Sequence, residues 1–369
     1  MIERKIVLGV YSDSSLNNVE LALIETDGID LFETPVSLLR PYSNELKDEI
    51  YKFMLKGDFS DTLKMTDLSK KITAFHKNTI DEFIQLHKRK YPKIDFIGYS
   101  GHTIYQNPDE KVNITLGNFE EIANHFKIPV VGRFLNSDLT AGGRGGPIFA
   151  TFYDALTKHE EKPLCIVSLG GIITMTSINP FGQLEAFDSS IGLVLLDHWI
   201  YNKTGAEMDF NGKYGKLGQI DTALVNRLLK DKYMLKMPPK TVRRECFMDL
   251  YKHVEGCSLE TGAASLTNYM AKSIQLSAKY FKESPVQYIL IGGGIYNPTL
   301  IQMIKQEIKA PVKTALDLGW DNDTLNAQGY AFLAIRSVTG LPISFPQTTG
   351  SYEAVTGGKT FYPTDSRFA

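Results

Sequence analysis

At 369 residues the chain is longer than one hydrophobic core usually organises, so two domains are the default. Its hydrophobic content of 43% and charged content of 22% are those of an ordinary globular protein and exclude a disordered one. A net charge of -2 gives no electrostatic reason to expect nucleic acid or an anionic membrane as partner, which leaves small-molecule chemistry as the starting expectation.

In chain order, the first element is an apolar strand, Lys5 to Tyr11. It turns through Ser12, Asp13, Ser14 and Ser15 and returns along Val19 to Ile24. A polar helix is expected from about residue 43 to 55. A longer one is expected from 61 to 90, where Leu63, Leu68, Ile72, Phe75, Ile80, Phe83, Ile84 and Leu86 recur at helical spacing before Tyr91-Pro92 stops it. A buried strand over 94–100 leads to the polar turn Gly101-His102-Thr103, followed by a helix over 118–126 and a short strand over 129–131. The loop Gly142-Gly143-Arg144-Gly145-Gly146-Pro147 is too glycine-rich for a regular element and reads as a hinge or active-site loop. A second strand, Leu164 to Leu169, then turns at Gly170-Gly171 and returns along Ile172 to Ile178, with a third strand over 183–187. Finally, the strand Tyr288 to Ile291 runs into Gly292-Gly293-Gly294 and the helix start Asn297-Pro298.

Hairpin turns rich in Gly, Ser and Thr offer backbone N–H groups and hydroxyls with no bulky side chain to hold an anion away. Each such turn alone reads as an ordinary hairpin; three in this order favour a nucleotide clamp, with phosphates at the two hairpins and adenosine against the third glycine cluster. No window of about 18 uninterrupted apolar residues occurs, and the N-terminal residues lack a leader-like apolar core, so no membrane span and no export are expected. Cys165, Cys246 and Cys257 show no metal-ligand spacing and cannot all pair, which suits a reducing cytoplasm.

Several motifs in this order resemble those of the anhydro-N-acetylmuramic acid kinases, members of the actin, sugar kinase and Hsp70 fold group, from Gly9 to Pro363. The family's opening Gly-x-x-Ser-Gly-Thr-Ser-x-Asp-Gly reads Gly9 to Asn18 here. Asp209, Gly212, Gly215 and Gly218 match a second segment, and Pro238, Pro239, Lys240, Arg244 and Glu245 match a third in part. The run from Gly292 to Leu300, Thr349-Gly350 and Tyr362-Pro363 complete the resemblance.

The resemblance implies an α/β, two-lobed ribonuclease H-like (actin-like ATPase) fold with an interlobe cleft. The first lobe would comprise residues 1–137 and 345–369, and the second residues 138–344. It also implies a cytoplasmic kinase that uses ATP and Mg2+ to hydrolyse the 1,6-anhydro bond of a cell-wall-derived amino sugar and phosphorylate its O6, and it suggests a homodimer. Asp188 occupies the place of the family's general base, which activates water; by pattern alone it reads equally as a helix cap. Asp197 matches a further family aspartate, read as orienting lobe packing. Nucleotide contacts would come from Ser12, Asp13, Ser14, Ser15, Leu16, Asn17, Asn18, Gly170, Gly171, Gly292, Gly293, Gly294 and Asn297. Substrate contacts would come from His102, Thr103, Arg133, Asp138 and Arg144.

The departures from the family cluster where the chemistry should be. Asp13 puts a carboxylate where backbone should approach a triphosphate, and Asn17 replaces the aspartate that would organise magnesium, so the metal position is left unassigned. Arg133 and Leu135 replace an acid and a base, and Arg144 replaces a glutamine. The alternatives are therefore a catalytically impaired homologue that binds nucleotide or sugar or acts as a regulator, a kinase for a more anionic substrate, or another phosphotransferase of the fold group.

Overall fold

The computed structural model describes residues 3–13, 15–32, 35–242 and 249–364, and the chain divides into two compact units. The first holds residues 1–156, 323–346 and 351–369, the second 157–322 and 347–350. Residues 138–156 and 323–344, which the sequence reading assigns to the second lobe, therefore fall in the first unit.

The first unit is built on a six-stranded sheet in the order β13-β7-β4-β1-β2-β3. Strands β1 (Lys5–Ser12), β2 (Asn18–Thr26) and β3 (Val36–Pro41) form an antiparallel meander. β4 (Phe96–Tyr99) and β7 (Val130–Gly132) run parallel to β1, and β13 (Lys359–Phe361) closes the edge antiparallel to β7. Glycine explains why the helix Leu325–Val338 belongs to this unit. A Cβ on Gly9 would lie 1.7 Å from the carbonyl oxygen of Ala327, and one on Gly98 would lie 2.3 Å from that of Tyr330. Only bare backbone on β1 and β4 lets that helix pack so closely.

The first polar helix spans Asn44–Lys56 with Ser43 as its cap, and the second Thr62–His87 with Asp61 capping. On the second helix Leu68, Ile72, Ile80 and Phe83 are buried at the expected spacing, but so is His76, whereas Leu63 and Leu86 are exposed. His102 and Thr103, expected in a turn, begin β5 (His102–Asn107), which pairs with β6 (Val112–Leu116) in a small separate hairpin. Short helices over Phe134–Thr140 and Ala150–Leu156 flank the glycine loop.

The second unit repeats the strand plan in the order β10-β9-β8-β11-β12. β8 (Leu164–Leu169), β9 (Ile172–Ile178) and β10 (Leu184–Ile191) are antiparallel, and β11 (Gln287–Ile291) and β12 (Val312–Thr314) run parallel to β8. Three antiparallel strands followed by parallel ones, twice in one chain, is the ribonuclease H-like arrangement. β10 runs four residues past the expected end at Phe187. Asp188 thus sits inside a strand, beside a register shift between Asp188 and Ser190, and the cap of the helix Leu193–Thr204 is Gly192. The helix-cap reading of Asp188 is excluded.

Candidate active site

Asp188 is 8% exposed, and both of its oxygens are held. Thr174, its cross-strand neighbour on β9, donates its hydroxyl to Oδ1 at 2.9 Å, and the backbone N–H of Val242 donates to Oδ2 at 2.9 Å. Tyr233 donates its hydroxyl to the Asp188 carbonyl at 2.8 Å, and the Asp188 N–H donates to the Lys240 carbonyl at 3.1 Å. These bonds fix the direction of the carboxylate, and a carboxylate so oriented has the chemistry of a general base toward water.

Lys240 is 1% exposed. Its Nζ lies 4.8 Å from the centroid of the Tyr233 ring, 4.9 Å from Tyr280 and 5.7 Å from Phe187, and donates to the Tyr233 carbonyl at 3.3 Å. Burial pulls this ammonium down to about 8, while the negative charge of Asp188 opposes the fall.

Around the second hairpin, Gly192 and Leu193 donate their N–H groups to the carbonyls of Gly171 and Gly170, each at 2.9 Å. The third glycine cluster packs on the same strand end. Gly292 has φ +83° and its N–H donates to Asn322 at 2.8 Å; a Cβ on Gly294 would meet that of Leu169 at 2.5 Å. Gly293 is different, because a Cβ there would meet only Leu193 Cδ1, at 4.0 Å. Two of these glycines serve packing and one borders open space. Asn297 caps the helix Pro298–Glu307, its Oδ1 accepting from Leu300 N at 3.0 Å. Nearby, burial followed by the charge of Asp209 raises the Asp197 carboxyl to about 7, while Asp209 itself accepts from the N–H groups of Tyr214 and Gly215.

In the first unit the phosphate hairpin is internally bonded. Asp13 accepts from Ser15 Oγ at 2.5 Å and from Asn17 N at 3.3 Å, so its carboxylate occupies donors that a phosphate oxygen would need. Burial raises the Asp13 carboxyl, and those bonds together with the nearby Lys47 charge partly offset the rise. Asn17 Oδ1 accepts from Lys47 Nζ at 2.7 Å, Asn18 begins β2, and Leu16 is buried at φ +53°. Ser12 uses both of its donors inside the protein, its N–H to Ser100 Oγ at 3.1 Å and its hydroxyl beside His102 Nδ1 at 2.9 Å. Ser14 lies outside the described residues, as do Arg244, Glu245 and Cys246.

The residues expected on the substrate side differ in burial and in partners. His102 and Asp138 are each 0% exposed. Asp138 closes the glycine loop, accepting from Gly145 N at 2.7 Å and Ser344 Oγ at 2.5 Å, and a Cβ on Gly143 would collide with it. Thr103 faces Thr115 across β5 and β6 at 3.5 Å. Arg144 pairs with Asp109 at 3.3 Å. Arg133, at φ +58°, lies over the rings of Phe119 and Phe361 at 5.3 and 5.8 Å and is exposed.

Sequence reasoning passed over Thr174, Tyr233, Tyr42 and His76, and quoted Lys240 only as a motif match. The available signal for His76 was its place on the buried stripe of its helix. For Lys240 it was a cation next to a Pro-Pro pair.

The strand plan, present twice and each time led by a hairpin with a small-residue turn, is that of the actin, sugar kinase and Hsp70 fold group. A family model described as Anhydro-N-acetylmuramic acid kinase matches residues 5–363. The chain is similar to the anhydro-N-acetylmuramic acid kinase of Paramagnetospirillum magneticum, at 33% identity over 97% of this chain and 100% of that protein. It is similar also to that of Methylobacterium nodulans, at 30% identity over 96% and 99%. Among solved structures, the (R)-2-hydroxyglutaryl-CoA dehydratase component A of Acidaminococcus fermentans aligns over 91% of this chain and 99% of its own, at 9% identity and a TM-score of 0.43. The chain belongs to the anhydro-N-acetylmuramic acid kinase family.

Proposed function

We propose that the protein transfers the γ-phosphoryl group of ATP to O6 of a 1,6-anhydro amino sugar of the anhydro-N-acetylmuramic acid type while water opens the anhydro bond. The observation that carries the residue assignment is Asp188, a carboxylate held on both oxygens beside a buried lysine. Asp188 takes a proton from water, whose oxygen bonds to the anomeric carbon as the bond from that carbon to O6 breaks. The freed O6 takes the phosphoryl group, leaving ADP. Thr174 and Val242 N fix the direction of the carboxylate, and Lys240 supplies positive charge next to it.

What supports Gly171 and Gly293 as nucleotide contacts is the room beside their backbone, where an added Cβ would meet only Val194 Cβ at 3.6 Å and Leu193 Cδ1 at 4.0 Å. His102, Thr103, Arg133, Asp138 and Arg144 remain our candidates for the sugar side, with His102 and Asp138 acting from buried positions. Magnesium is part of this reading as the companion of ATP. Asn17 does not fit as its direct ligand, because an ammonium already occupies its oxygen, and among the described residues no group of three His, Cys, Asp or Glu could hold a metal. The family match gives no support to an impaired homologue. Among the described residues no helix is long and apolar enough to cross a membrane; a cytoplasmic location and a homodimer belong to the proposal.

The test is direct: incubation with ATP, magnesium and the anhydro sugar, with ADP release and product mass followed together. A product heavier by one water and one phosphoryl group supports the reading. ADP release without that product overturns it.

A further inference from the structure

A chain of buried polar groups crosses the first unit from its helical layer to the phosphate hairpin. Tyr99 Oη lies 2.6 Å from His76 Nδ1, and His76 Nε2 lies 2.5 Å from Tyr42 Oη. Tyr42 Oη donates to Ser12 Oγ at 2.7 Å, and Ser12 Oγ lies 2.9 Å from His102 Nδ1. Tyr99, His76 and His102 are 0% exposed, and Ser12 and Tyr42 are buried as well. Ser12 and Tyr99 end the adjacent parallel strands β1 and β4, where α/β sheets place their ligands, and His102 follows at the start of β5.

Proton counting gives this chain a direction. Burial, with the nearby His102 as a smaller cause, drives His76 down to about 3, so its ring is neutral and carries one proton. Each hydroxyl also has one proton to give, and running all the links the same way is the arrangement in which none of these buried protons lacks an acceptor. Tyr42 donating to Ser12 selects the order: Tyr99 hydroxyl to His76 Nδ1, His76 Nε2–H to Tyr42, Tyr42 to Ser12, and Ser12 to His102 Nδ1. His102 is then the Nε2–H tautomer. Apolar side chains of similar shape would fill this space without the desolvation cost of so many buried polar atoms, which argues for a role beyond packing.

We propose that the chain Tyr99–His76–Tyr42–Ser12–His102 is a positioning relay, which sets the His102 tautomer and ties the phosphate hairpin to the start of β5. Ser12 thereby acts through its place in the relay and not as a phosphate donor, because its N–H and hydroxyl are both spent. The catalytic consequence rests on the kinase reading above; the tautomer does not.

The experiment labels the histidine nitrogens with 15N and reads long-range 15N–1H correlations in the wild type, in Tyr42→Phe and in Tyr99→Phe, alongside steady-state kinetics well below the melting temperature. In the wild type His76 and His102 are both expected as neutral Nε2–H tautomers. In Tyr99→Phe, the hydroxyl furthest from Ser12, both rings should show mixed tautomers, with kcat lower by roughly three- to thirty-fold and the KM for ATP changed less. Tyr42→Phe should do at least as much. His102 found as the Nδ1–H tautomer in the wild type overturns the proposal even if a variant fails to fold. So does an unchanged His102 in both variants, or a shifted tautomer with wild-type kcat and KM. A wild type that does not phosphorylate the anhydro sugar overturns the kinase reading, and the tautomers then decide the relay by themselves.

Discussion

The backbone N–H of Asp188 donates to the carbonyl of Lys240, which sets a buried ammonium beside a buried carboxylate in the second unit. Because the Lys240 pKa is pulled down from its ordinary value to about 8, its charge is present below that pH and is lost as pH rises through it. We expect kcat/KM to fall above about pH 8, and Lys240→Met to remove that limb while lowering the plateau roughly ten-fold. The pH–rate profiles of the two proteins check this. The linkage runs the opposite way for stability: the folded state binds this proton less tightly than the unfolded state, so stability should rise between about pH 8 and the ordinary lysine range.

Asp188→Asn keeps the shape and most of the hydrogen bonds but cannot take a proton. Turnover should drop by about 10²–10⁴-fold while ATP affinity is retained. Single-turnover kinetics and calorimetry with a non-hydrolysable ATP analogue separate the two.

The Asp13 carboxylate holds Ser15 Oγ and Asn17 N, so Asp13→Gly should release donors to the triphosphate and raise magnesium–ATP affinity by about ten-fold. Adding Asn17→Asp should contribute little more, because Lys47 at 2.7 Å would pair with the new charge. Calorimetric titration of the single and double variants reads both effects.

Gly293 and its neighbour separate ligand access from packing. A Leu at 293 enters open space and should leave the melting temperature within about 2 °C of wild type while weakening ATP binding. Gly294→Ala, whose Cβ would meet that of Leu169 at 2.5 Å, should instead cost about 1–3 kcal/mol of stability in urea unfolding.

Asp197 has a folded-state pKa raised to about 7, so the folded state holds its proton more tightly than the unfolded one. Its contribution to stability is full below about pH 4 and is lost as pH rises toward 7. Asp197→Asn should therefore match the wild type near pH 4 and exceed it near pH 8 by on the order of 2 kcal/mol. Denaturant unfolding at the two pH values tests the sign.

Local signals carried much of this protein. Turn chemistry at Gly170-Gly171 and at Asn297-Pro298 and a helical apolar stripe at Leu68, Ile72, Ile80 and Phe83 are short-range patterns, and the elements they predict are present. Motif order placed the chain in its family. Partnerships between segments far apart in the chain were decided only by the tertiary structure. Nothing near Gly9 in sequence says that Ala327 must lie against it, and that contact gives the helix Leu325–Val338 to the first unit. By pattern alone Asp188 reads equally as a catalytic carboxylate and as a helix cap, because its continuation as a strand depends on pairing with β9, a long-range ladder that no local window contains. Nothing local in the sequence gives Lys240 or His76 a special chemistry, and burial changes both. An ammonium among three aromatic rings and a histidine between two tyrosine hydroxyls acquire their properties from neighbours brought together only when the chain folds.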